Sequence, residues 1–253
     1  MPHLGPVPIN WYGLGFAAAF LLGWWLVWRW SHDCPNLRAH LDRLLLWIAV
    51  GTVLGARLYY VAQNSPLSYL LHPWQIVAVW EGGLAYFGGL FGAVAAALLY
   101  TRRYHLPFLR VADRFAPAIA FGSAVGRIAC GLDGMDYGTS TRMPWGVIYT
   151  HPNSYAPLDG LPRHPDQYYE LLGDLLIAYV LIKMRGRLPD GFLFLSYLVL
   201  FSLLRFFVFF FRGNVEAVAL GLKNAQWTAL AILAASALGM WRLLRVSRKP
   251  IAG

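Results

Sequence analysis

The chain has 253 residues, of which 58% are hydrophobic, 16% aromatic and only 13% charged, and it carries a net charge of +9; its mean hydropathy is +0.49. This balance excludes an ordinary soluble domain, because too few charged residues remain to cover a water-facing surface. Two cysteines exclude a disulfide framework.

Mainly apolar runs recur at residues 11–30, 44–61, 83–100, 115–131, 168–182, 191–211 and 227–244. A helix rises about 1.5 Å per residue and needs roughly 20 residues to cross about 30 Å of hydrocarbon. Lipid also demands that each backbone group be satisfied within its own segment. The pattern therefore predicts an all-α polytopic membrane protein of seven transmembrane helices, with residues 1–253 forming one integral membrane domain. The fifth run is the shortest.

The first run follows a segment without Lys or Arg before Arg29, unlike the basic leader of a cleavable signal peptide, so it is expected to be retained. Basic residues then collect in alternate connections: Arg29, Arg38 and Arg43; Arg102, Arg103, Arg110 and Arg114; Lys183, Arg185 and Arg187; Arg242, Arg245, Arg248 and Lys249. By the positive-inside rule that face is cytoplasmic, the N-terminus extracytoplasmic and the C-terminus cytoplasmic. Charge thus reports topology, and no nucleic-acid partner is expected. Cys34 and Cys130 fall toward opposite faces and are not expected to meet.

Between the second and third runs, residues 65–82 carry Trp74 and Trp80 and suit the outer membrane interface. The third run opens with Trp80-Glu81-Gly82-Gly83-Leu84-Ala85-Tyr86-Phe87-Gly88-Gly89-Leu90-Phe91-Gly92. Its glycines permit close approach of a headgroup or of another helix, and residue types alone favour helix packing. In the fourth run, Gly122, Gly126 and Arg127 precede a turn containing Gly131, Asp133, Gly134, Asp136 and Gly138. Arg127 can bind a phosphate bidentately beside such a turn, or pair with Asp133 or Asp136 to fix it.

Residues 132–167 form a long polar loop on the outer side, rich in Gly, Pro, Asp and Tyr, and loops of that length usually carry function. His164-Pro165-Asp166-Gln167-Tyr168-Tyr169-Glu170 leads into the fifth run, where Pro165 fits a first helical turn and Glu170 and Asp174 share a face. An acid one turn inside an apolar helix wants a cation. In the sixth run Arg205 lies two turns deeper than Arg212, which sits where a side chain can snorkel to the interface. A guanidinium keeps its proton, so Arg57, Arg127 and Arg205 each need water, an anion or a partner at membrane depth.

Together these segments, with Asn10-Trp11-Tyr12-Gly13, Gly55-Ala56-Arg57, Gly126-Arg127-Ile128 and Pro144-Trp145-Gly146, resemble the prolipoprotein diacylglyceryl transferase family along nearly the whole chain. The resemblance implies a seven-helix enzyme of the bacterial inner membrane that moves the diacylglyceryl group of phosphatidylglycerol to the lipobox cysteine thiol of a prelipoprotein. It implies Arg127 and Arg205 as catalytic residues, and Tyr12, Arg57, Gly88, Gly89, Gly134, Gly138, His164, Gln167, Tyr169, Glu170 and Arg212 as substrate-binding ones. The expected partners are phosphatidylglycerol, membrane lipid and the prelipoprotein. No cofactor or metal is expected.

The chain departs from the family at four polar positions. Phe87 stands where the family has the histidine of its His-Gly-Gly motif, Cys130 where it has asparagine, and Met135 and Phe209 where it has glutamates. These exchanges remove acid–base groups and leave the arginines, so the alternative is a divergent paralogue that binds anionic phospholipid with a different acceptor or none. A transporter is disfavoured because the arginines gather toward the outer leaflet and not at the midplane. The seventh run lacks a lysine for retinal, and Ser123 has no visible histidine partner for protease chemistry.

Overall fold

The computed structural model describes residues 3–4, 7–8, 11–63, 69, 73–77, 85–132, 134–152, 154–186 and 188–247; within these, the side chains of residues 3–4, 7–8, 11–13, 16, 86–87 and 246–247 are outside the description. The described architecture is helical apart from a two-residue hairpin, β1 (His3–Leu4) with β2 (Val7–Pro8). The helices are α1 (Trp11–Trp30), α2 (Pro35–Gln63), α3 (Trp74–Val77), α4 (Tyr86–Arg103), α5 (Phe108–Leu132), α6 (Asp166–Met184), α7 (Phe192–Val208) and α8 (Asn224–Ser247). Among the described residues, Pro35–Gln63, Phe108–Leu132 and Asn224–Arg245 are long and apolar enough to cross a membrane, and Phe192–Val208 is a shorter apolar helix.

Several ends shift from the sequence expectation for local reasons. The second helix starts nine residues before its apolar run, at Pro35, whose fixed φ suits a first turn. The fifth begins at Asp166 with Pro165 as its N-cap rather than inside its first turn. The sixth stops at Val208, and residues 209–211 leave the helix as turns. Of the expected interfacial stretch 65–82, only Tyr69, Pro73 and α3 are described.

The chain divides into two compact units, Trp28–Val111 and Met1–Val27 with Ala112–Gly253. In the first, α2 packs against α4. Gly51 and Gly55 on α2 meet Gly88 and Gly92 on α4: a Cβ on Gly88 would run into the Gly55 carbonyl oxygen, and one on Gly92 into that of Gly51. Small residues spaced by four let two backbones touch where no water drives helices together. At the opposite end of this pair, the fully buried Tyr100 hydroxyl lies 2.9 Å from His40 Nδ1.

In the second unit, α6 packs on α7 and α7 on α8. Ala116 and Ala120 of α5, Ile177, Ala178 and Leu181 of α6, and Leu193 and Tyr197 of α7 form one buried cluster. Gly191 precedes α7 without a side-chain cap of its own. Asp113 of α5 supplies one, accepting the Gly191 N–H at 2.6 Å and the Phe194 N–H at 2.7 Å. A carboxylate there satisfies orphan donors and complements the positive end of the helix. Leu172, Leu176 and Tyr179 remain exposed along one face of α6, as do Leu54 and Leu58 on α2. Such faces are what lipid covers.

Candidate anion site of three arginines and Glu170

Helical spacing builds the site. Ser123, Arg127 and Gly131 repeat every four residues on α5, and Glu170 and Asp174 do so on α6, so each set lies on one face. The two faces meet: the Ser123 hydroxyl donates to Asp174 at 2.5 Å, Arg127 Nη2 lies 2.6 Å from Glu170 Oε2, and the Tyr168 hydroxyl fills the space beside Gly131. Ser123, unpartnered in the sequence reading, thus serves a buried carboxylate. Asp174 Oδ1 receives no hydrogen bond among the described residues.

Glu170 is the hub. Its Oε1 accepts Arg205 Nη1 at 2.6 Å from α7 and Arg212 Nη2 at 3.2 Å from the segment after α7, while the side chain is 1% exposed. Asp136 takes Arg127 Nη1 at 2.8 Å and also contacts Arg212 Nη1. Arg212 Nε lies 2.5 Å from Asp166 Oδ2, a charge contact and not an aligned hydrogen bond. The ring of Phe209 sits 4.7 Å from the guanidinium carbons of both Arg205 and Arg212. Three cations therefore share one site with Glu170, Asp136 and Asp166, compensation that one buried and two part-buried guanidiniums require.

The arginines differ in what they have left to give. Arg212 is 2% exposed with all three nitrogens engaged, so it does not snorkel. Among the described residues, Arg127, 15% exposed, uses two nitrogens on carboxylates and Arg205, 25% exposed, uses one. With five N–H donors per guanidinium, both keep accessible donors for an anion, whereas burial among three carboxylates closes Arg212 to one.

The loop between α5 and α6 holds this arrangement. Asp136 has φ 61° and Gly134 φ 66°, a left-handed turn that glycine adopts freely and aspartate tolerates, and it aims the Asp136 carboxylate at two arginines. Gly138 lies against the His164 backbone and forms a bridge with Arg212. Gln167 is wholly buried, donating to the Met135 carbonyl and meeting the Tyr149 hydroxyl at 3.1 Å. Burial raises the Tyr149 phenol above its ordinary pKa, partly opposed by that hydrogen bond. The Tyr169 hydroxyl accepts Trp145 Nε1–H at 2.7 Å and lies 3.0 Å from His164 Nδ1. Lys223 donates to the carbonyls of Phe209 (2.8 Å) and Arg212, and burial lowers its pKa.

The structure thus gathers Arg127, Arg205, Arg212 and Glu170 in direct contact, with Gly134, Gly138, His164, Gln167 and Tyr169 shaping the surrounding loop. Arg57, Gly88 and Gly89 belong to the other unit. Arg57 donates from Nε to the Ile76 carbonyl at 3.0 Å and from Nη2 to that of Gln75 at 2.5 Å. Gly88 and Gly89 face α2. The side chains of Tyr12 and Phe87, and all of Asp133, lie outside the described residues. Asp166 as the partner of Arg212 left no trace in the sequence, since the pairing depends on where the chain turns after α7.

A sequence profile described as prolipoprotein diacylglyceryl transferase matches residues 1–242. A phosphatidylglycerol–prolipoprotein diacylglyceryl transferase of Nitrosomonas europaea is 34% identical, covering 98% of this chain and 90% of the relative. Proteins of the same name are 34% identical in Polaromonas naphthalenivorans, covering 98% and 96%, and 36% identical in Legionella pneumophila, covering 75% of each. With that profile spanning nearly the whole sequence and relatives of 34% identity covering 98% of it, this chain belongs to the prolipoprotein diacylglyceryl transferase family.

Proposed function

We propose that this chain transfers the diacylglyceryl group of phosphatidylglycerol to the lipobox cysteine thiol of a prelipoprotein, as the names of its relatives describe. The observation that carries this reading is the graded accessibility of the arginines: Arg212 is buried among three carboxylates, while Arg127 and Arg205 are part exposed and keep donors for a phosphate. In the reaction the sulfur attacks the glyceryl carbon next to the phosphate, a C–S bond forms, the C–O bond to phosphate breaks, and glycerol phosphate departs. Arg127 and Arg205 hold the phosphate oxygens on which negative charge grows. His164 takes the thiol proton; its Nδ1 is engaged by Tyr169 and its ring packs 4.9 Å from that of Phe211. The surrounding apolar helices keep water from competing for the lipid.

In this reading the chain is one seven-span domain of the bacterial inner membrane, N-terminus outside and C-terminus inside, with the arginine cluster toward the outer leaflet. Helices α1, α2, α4, α5, α6, α7 and α8 supply the spans and 132–167 the outer loop. Gly134, Gly138, Gln167 and Tyr169 frame the lipid site.

The exchanged polar positions favour a second reading, in which the chain holds phospholipid without thiol transfer. Phe209 places a ring, not a carboxylate, against Arg205 and Arg212. Purified protein incubated with phosphatidylglycerol and a lipobox peptide separates the two by mass spectrometry. Thioether product that disappears in Arg127→Gln supports the transferase; lipid bound without product supports the second reading, and Phe87→His then tests whether the missing imidazole is the cause.

A further inference from the structure

The outer loop carries an apolar surface that the reaction does not use. Met143, Trp145, Ile148, Tyr155, Leu158 and Leu161 are each at least half exposed. Yet the backbone beneath them is ordered by pairing: Thr141 N–H donates to Pro162 at 2.8 Å, and Val147 and Arg163 exchange bonds at 2.9 and 3.0 Å. A hydrogen-bonded loop that holds large apolar side chains outward needs a cover.

Two observations say what covers it. The Trp145 indole is fixed by its bond to the Tyr169 hydroxyl in the first turn of α6. From that turn the exposed face of Tyr168, Leu172, Leu176 and Tyr179 continues along the helix. The loop surface is thereby joined to the lipid-facing stripe of α6 through an aromatic pair, the residue types that settle at the membrane–water boundary. Arg142 is exposed beside Met143, whereas the acid of this stretch, Asp159, is held by Arg163 at 2.5 Å. That charge balance suits anionic headgroups.

We propose that the Arg142–Leu161 surface lies in the outer leaflet interface, resting its apolar side chains about 5–10 Å into the headgroup boundary, and so ties the arginine cluster to the bilayer surface from which lipid enters. The inference rests on α6 lying in the bilayer, and the test separates the two claims. In a Cys34→Ser, Cys130→Ser background, single cysteines at Ile148, Leu158, Leu176 and Arg102 are labelled with an environment-sensitive fluorophore. The protein is then placed in nanodiscs of phosphatidylglycerol and phosphatidylcholine. Positions 148 and 158 are expected to be quenched by spin-labelled lipid and shielded from aqueous iodide, as position 176 is, with position 102 showing the reverse. Lipid quenching at 176 but iodide quenching at 148 and 158 overturns the interface proposal alone. No lipid quenching at 176 overturns the bilayer placement of α6 and the proposal with it. Protection at 148 and 158 that appears only after a lipobox peptide is added makes the surface a peptide dock, which also overturns it.

Discussion

Arg212 and Arg57 are almost equally buried, 2% and 5% exposed, yet they end in opposite surroundings. Arg212 meets the carboxylates of Asp136, Asp166 and Glu170. Arg57 donates to the carbonyls of Gln75 and Ile76 in the short helix α3, with the rings of Tyr60 and Tyr69 nearby at 5.7 and 5.8 Å. Carboxylates set the charge of a site, and carbonyls set the path of a backbone. A buried guanidinium therefore identifies its role by the atoms it binds, not by its depth.

The largest break in that contrast is Arg212→Gln, which strands buried carboxylates and is expected to lower stability by about 3–5 kcal/mol, read as a fall in unfolding midpoint in detergent. Arg205→Gln removes a guanidinium that, among the described residues, pairs with one carboxylate, Glu170. Its unfolding midpoint should move far less, while transfer of diacylglyceryl falls roughly 10²–10³-fold, the cost of losing one donor to developing charge. Equal destabilisation in the two variants would erase the distinction between buried and accessible arginines. In the Arg57 unit, Gly88→Ala forces a methyl group against the Gly55 carbonyl, and overpacking of this kind costs about 1–3 kcal/mol, with lipid affinity per folded molecule unchanged. A comparable effect is expected for Arg57→Gln, near 1 kcal/mol for each hydrogen bond lost to α3. Phosphatidylglycerol binding by native mass spectrometry should persist in it and weaken in Arg205→Gln; the reverse order would make Arg57 the lipid ligand.

Glycine shows how far residue types reach. The four-residue spacing of Gly51 with Gly55 and of Gly88 with Gly92 is visible in the sequence and suffices to anticipate close helix packing. That the two pairs face each other is not, because each helix could turn either face to several neighbours. Likewise the Arg127 to Asp136 pair lies nine residues apart and was legible as one of two outcomes. The convergence of Arg205 and Arg212 on Glu170 joins residues 35 and 42 positions away.

The sequence by itself determined the solvent this protein is built for, its helical class and the family to which its motifs lead. Those are properties of composition and spacing, which act residue by residue. Only the tertiary structure decided which acids receive which arginines, that Ser123 serves Asp174, and that Arg57 donates to α3. Such pairings are made between distant segments, where burial makes an unmatched charge too costly to keep and the nearest available partner depends on how the helices meet.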